Sequence, residues 1–141
     1  MEIIIMKKAG KRILVAGVTL SIICGIGGAV FAASKPPKSL KATINGYSVS
    51  CSSTICEGSG TGYTSYGGSG AVSVSSKLVA SHKQTRREKT LNGTKGNYGT
   101  ASVTVYAPKY YESKKIDTTH TVFAPNQTWK GNTHNGTWLD Q

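Results

Sequence analysis

The sequence predicts an all-β fold, a small antiparallel β-sandwich or open barrel of about six or seven short strands, preceded by a cleavable signal-peptide helix. Three observations carry this. Apolar residues from Leu40 onward recur with period two, which places them on one face of a strand. Gly, Ser, Asn and Thr punctuate the short apolar runs, as turns between strands require. Leu, Ile, Val and Phe supply only 15 of the 109 residues from Ala33 to Gln141, too few for the core of a large α/β enzyme.

The N-terminal element comes first. Met6 to Arg12 is a short basic run, Ile13 to Ile26 is apolar, and Val30-Phe31-Ala32 closes the segment with residues a signal peptidase accepts. This order is that of a secretory signal, with cleavage expected after Ala32, or one residue later after Ala33, and export as the expected localisation. The alternative is an uncleaved anchor, because the 21 residues from Ile13 to Ala33 are long enough to span a bilayer. The expected organisation is therefore a signal peptide over 1–32, an extended leader over 33–39 and a single β domain over 40–141.

Within the domain, Leu40, Ala42 and Ile44 alternate with polar residues, as do Tyr47, Val49 and Cys51. Asn45-Gly46 between them is a strong hairpin signal, since both residues accept positive φ. A two-residue turn there pairs Ile44 with Tyr47, Ala42 with Val49 and Leu40 with Cys51; the alternative is one long strand with a bulge at Gly46. Glu57 to Gly70 is rich in Gly and Ser and reads as a flexible connection, or as a binding loop bearing Tyr63 and Tyr66. Strands are expected over Ala71–Ser81, Tyr98–Ala107 and Thr118–Ala124, the last ended by Pro125. Shorter ones are expected near Thr61–Ser65, Gln127–Lys130 and Thr137–Leu139.

Two further Asn-Gly pairs read as turns. Asn92-Gly93 would fold His82 to Lys95 into the tip of a long hairpin, pairing Ala80 with Val105 and Leu78 with Ala107. Asn135-Gly136 would set Trp138 opposite Thr133, with Trp129 and Trp138 covering the core or stacking on a glycan.

Removing residues 1–32 takes Cys24 with it and leaves Cys51 and Cys56. An even count in an exported chain points to one disulfide across the four intervening residues. The histidines, His82, His120 and His134, lack metal-ligand spacing, and His120 alternates with Val122 and Ala124 as an inward residue would. Gly67-Gly68-Ser69-Gly70-Ala71 misses the nucleophile elbow, because Ala71 stands where the last glycine is needed. No catalytic residue, metal or cofactor is expected, and the chain reads as non-enzymatic.

The charge is the remaining signal. The whole chain carries 17 Lys and Arg against 6 Asp and Glu, and the part after residue 32 carries 13 against 5. Lys83, Arg86, Arg87, Lys89 and Lys95 lie in one stretch, and Lys109, Lys114 and Lys115 in another, beside Tyr110 and Tyr111. Such clusters attract anionic surfaces. The expected function is that of a small secreted basic protein that associates with an anionic cell-envelope polymer or membrane surface; a bacteriocin-like or membrane-active toxin is the alternative. Nucleic acid is not an expected partner in vivo.

Overall fold

The computed structural model describes residues 38–136. The signal segment, most of the leader and the strand expected over Thr137–Leu139, with Trp138, lie outside the described residues. The described chain is all-β: β1 (Lys38–Ile44), β2 (Tyr47–Cys56), β3 (Ser59–Tyr66), β4 (Ala71–His82), β5 (Glu88–Tyr98), β6 (Thr100–Tyr106), β7 (Tyr111–Ala124) and β8 (Gln127–Gly136). They form two four-stranded antiparallel sheets, one in the order β1-β2-β3-β6 and the other β5-β4-β7-β8. The two sheets pack face to face, so the barrel alternative falls away.

The first hairpin follows from its turn. Asn45 and Gly46 take φ of 53° and 83°, the positive values a type I′ turn needs, and the register sets Ile44 against Tyr47, Ala42 against Val49 and Leu40 against Cys51. The β7–β8 turn uses different chemistry. Pro125 presets the first central position and Asn126 takes a φ of 61° at the second, the pattern of a type II turn.

The other two Asn-Gly pairs are not turns. Asn92 and Gly93 lie inside β5, opposite Lys77 and Ser76, and Asn135 and Gly136 lie in β8, opposite Ile116 and Lys115. The expected pairings of Ala80 with Val105 and Leu78 with Ala107 do not form; Leu78 faces Leu91. The turn falls earlier, where His82 organises it: its Nδ1 accepts the backbone N–H of Gln84 and of Thr85 at 3.2 Å, and its carbonyl accepts that of Arg86 at 2.9 Å. Gly93 is there for packing, since a Cβ would sit 2.9 Å from Val105 and 3.0 Å from Val103.

The Gly-rich stretch after Glu57 is also not a flexible connection. Glu57-Gly58 is a tight turn, and β3 is an inner strand between β2 and β6. Its inward positions are Gly60, Gly62, Thr64 and Tyr66. At Gly62 a Cβ would lie 2.3 Å from Ser76 Oγ and 2.6 Å from Thr118 Cγ2, so the missing side chain is what lets the sheets approach here.

The inner faces build two apolar clusters with a polar seam between them. Ile44, Val49, Cys51, Tyr66, Val72, Val74, Ala101 and Val122 form one, closed at the side by Leu40 and Trp129. Ile55, Leu78, Val105 and Ile116 form the other. The seam holds Ser53, Thr64, Ser76, Thr118, His120, Thr133 and Asn135, all buried. Ser53 Oγ donates to Thr118 Oγ1 at 2.9 Å and contacts Thr133 Oγ1, and Thr118 meets Ser76 at 2.9 Å. His120 bridges Thr64 and Thr133, each at 2.7 Å, and Asn135 Nδ2 donates to the Ser53 carbonyl at 3.1 Å. His120 is thus the inward, hydrogen-bonded histidine its spacing predicts.

The expected Cys51–Cys56 bridge does not form. Cys51 is a free, buried thiol. Both cysteines lie in the same extended strand, β2, where five steps separate them by about 16 Å on opposite faces, far beyond disulfide reach. Burial pushes the Cys51 thiol up to about 12, against a smaller opposite effect of its hydrogen bond with Thr64.

Candidate anionic-surface site

Antiparallel alternation gathers the connections at the two ends of the molecule. One end holds the β1–β2 turn at Asn45-Gly46, the β3–β4 loop Gly67-Gly68-Ser69-Gly70, Gly99 between β5 and β6, and Pro125-Asn126. None of these residues is charged. The loops join directly: Asn45 Nδ2 donates to the Pro125 carbonyl at 3.1 Å, and Gly99 N–H to that of Gly70 at 3.0 Å.

The opposite end holds Glu57-Gly58, the β4–β5 loop 83–87 and the β6–β7 loop 107–110. Backbone hydrogen bonds stitch these three together. Lys83 N–H donates to the Tyr110 carbonyl at 2.9 Å, Ala107 N–H to Gly58 at 2.9 Å and Ser113 N–H to Glu57 at 2.6 Å. His82 and Tyr111 meet edge to face, 5.1 Å apart between ring centres. The loops therefore present their side chains from one framed surface.

That surface collects seven of the eight cations singled out in the sequence: Lys83, Arg86, Arg87, Lys89, Lys109, Lys114 and Lys115. Lys95 is not among them, because it stands opposite Val74 further along β5. The acids that accompany them were missed. Lys83 Nζ lies 3.0 Å from Glu57 Oε2, Arg86 Nη1 lies 3.0 Å from Glu112 Oε2, and Lys114 Nζ pairs with Glu88. Each partner is 26 positions away in the chain, so no local pattern reveals the pairing. The one available signal was composition, since two of the three Glu of the domain, Glu88 and Glu112, fall in these basic stretches.

These ion pairs reach into solvent, where water and salt screen them, so their net contribution to stability is small; their effect is to hold the tips in place. The Glu88 carboxyl is held below its usual range by its hydrogen bond with Lys114 and by that lysine's charge. Seven cations against three glutamates leave an excess of four. Arg87, Lys89, Lys109 and Lys115 have no ion-pair partner among the described residues; Lys109 Nζ sits 5.2 Å over the ring of Tyr110, an arrangement that steadies an exposed ammonium.

Comparison with known protein families, characterised proteins and solved structures gives no match. The chemistry of the site rests on its own residues. Among the described residues no group of three or more His, Cys, Asp and Glu is placed to hold a metal. His120 and Cys51 are buried inside the seam and the adjoining cluster, without access to a substrate. His134 Nδ1 lies 2.7 Å from Asp117 Oδ1 on the exposed side of β7 and β8.

Proposed function

We propose that this is a small exported, non-enzymatic β protein that attaches to an anionic polymer of the cell envelope through its charged end. The observation that carries the reading is the convergence of Arg87 in the β4–β5 loop, Lys89 at the start of β5 and Lys109 in the β6–β7 loop, whose charges are not cancelled, beside a fixed set of ion pairs. Each cation brought near an anionic membrane contributes about 1 kcal/mol, and the field reaches only about 8 Å at physiological salt. Cations gathered on one end therefore act together, whereas scattered ones do not.

The test replaces Arg87, Lys89 and Lys109 with Gln, leaving the three ion pairs intact. Binding to purified anionic wall polymer and to phosphatidylglycerol vesicles should fall tenfold or more. A control that removes Lys38, Lys41 and Lys95 takes away the same charge and should change it little. Equal losses in both variants would assign the binding to net charge and overturn the site. Leakage of vesicle contents at binding concentrations would move the reading to the membrane-active toxin. Export has its own measurement: the intact mass of protein from culture supernatant should correspond to a chain beginning at Ala33 or Ser34, and a mass retaining residues 6–32 would overturn cleavage.

A further inference from the structure

The outer face of the β5-β4-β7-β8 sheet carries a second surface of different chemistry. Val72 and Val74 point inward, so Ala71, Ser73, Ser75 and Lys77 point outward by alternation. The register then lays out the outer face in rungs. Tyr98, Ala71, Phe123 and Thr128 form the first; Gly96, Ser73, Thr121 and Lys130 the second; Thr94, Ser75, Thr119 and Asn132 the third.

The first rung is unusual for a face open to water. Tyr98 is 68% exposed and Phe123 49% exposed, although each is a large aromatic ring. They flank Ala71 from β5 and β7, two strand spacings or about 10 Å apart. The floor between them is a methyl group, and the rungs beyond are hydroxyls and amides. Several of these are held in place across the strands: Ser75 meets Thr94 at 3.0 Å, and Thr119 donates to Asn132 at 2.9 Å. Lys130 stands in the second rung and Lys77 beside Asp117 in the fourth; beyond them Lys115 adjoins the charged end, whose Glu88 and Glu112 lie on the same side of the sheet.

We propose that this face binds an extended, β-linked polysaccharide carrying acidic groups. A sugar ring offers polarised C–H groups on its flat side, which match the negative face of an aromatic ring. Two rings carried on strands about 10 Å apart match the repeat of an extended β-linked disaccharide, so both can take sugars of one chain. The hydroxyl rungs offer donors and acceptors to sugar hydroxyls, and the lysines complement the acidic substituents. The inference deepens the envelope-binding reading and rests on it only for the setting, because its two rings stand at the opposite end of the sheet from the charged loops.

The experiment uses the whole exported chain, hyaluronan oligosaccharides as the acidic β-linked polymer, and poly-glutamate as a polyanion without sugar. Replacing Tyr98 and Phe123 together with Ala should weaken hyaluronan binding tenfold or more and leave poly-glutamate binding unchanged. The Arg87, Lys89 and Lys109 to Gln variant should do the reverse, losing poly-glutamate and retaining most hyaluronan binding. A second variant, Ala71→Glu, fills the floor between the rings with a bulky negative group, leaves both rings in place, and should also abolish hyaluronan binding. The proposal is overturned if the wild type ignores hyaluronan, if Ala71→Glu binds it normally, or if both polymers fall together in the aromatic variant. Failure of poly-glutamate binding alone would overturn the charged end and leave this site standing.

Discussion

His120 sits between the sheets with both ring nitrogens occupied by threonine hydroxyls and no exposure to water. Burial pulls its proton affinity down, from 6.5 to about 4, because the charged imidazolium is poorly solvated there. An unfolded chain's imidazole titrates near 6.5, so between pH 6.5 and 4 the unfolded state binds more protons. Stability is then fully present above about pH 6.5 and declines as the pH falls towards 4, by about 3 kcal/mol in all. The titratable group linked to it through Thr64 is the Cys51 thiol, neutral throughout this window. Urea unfolding at pH 7 and pH 4.5 checks the effect: wild type should lose stability, and His120→Gln should lose much less. A variant with the full wild-type slope would place the proton uptake elsewhere. The inward histidine was legible from its alternation with Val122 and Ala124. Its partners were not, because they come from β3 and β8, which meet it only across the folded core.

At the scale of elements, three copies of the same dipeptide had two outcomes. Asn45-Gly46 makes a turn because the flanking apolar residues pair on one face when it does. Asn92-Gly93 and Asn135-Gly136 are drawn into strands by long-range contacts that outweigh local preference: Gly93 lies under Val103 and Val105, and Asn135 reaches across to Ser53. Strand β3 was the element hardest to read. Its inward positions begin Gly60, Gly62 and Thr64, so the strand carries almost none of the apolar alternation that betrays the others. A prediction follows from that substitution of absence for side chain. Gly62→Ala forces a Cβ against Ser76, Thr118 and Val74, and overpacking of this kind costs about 1–3 kcal/mol. Thermal melts should show a drop of roughly 4–8 °C for each kcal/mol in a domain of this size. Gly58→Ala, whose Cβ meets open space, should melt within a degree or two of wild type by the small effect expected of surface changes. An equal drop in the two variants would mean that the approach of the sheets at Gly62 does not set the cost.

Across the whole molecule, the densest charge is gathered at one end. Strands that run up and down return alternate connections to the same end, and this places two basic loops and the Glu57-Gly58 turn together although they are far apart in the chain. The basic stretches themselves were plain in the sequence; that Lys95 would stand outside their cluster, and that three glutamates would pin the tips, depended on register. Between the ends lies the polar seam, and it bears on how the two sheets are aligned. Apolar contacts are indifferent to small displacements, because one methyl group serves as well as its neighbour. Hydroxyls are not, since a buried donor without an acceptor costs about 1–3 kcal/mol. Shear of one sheet over the other by a single rung would keep aliphatic groups in contact within both clusters. It would also turn Ser53, Ser76, Thr118 and Thr133 towards hydrocarbon, and strip His120 of both its partners. The seam thus acts against sliding, a motion that the two apolar clusters alone would resist only weakly.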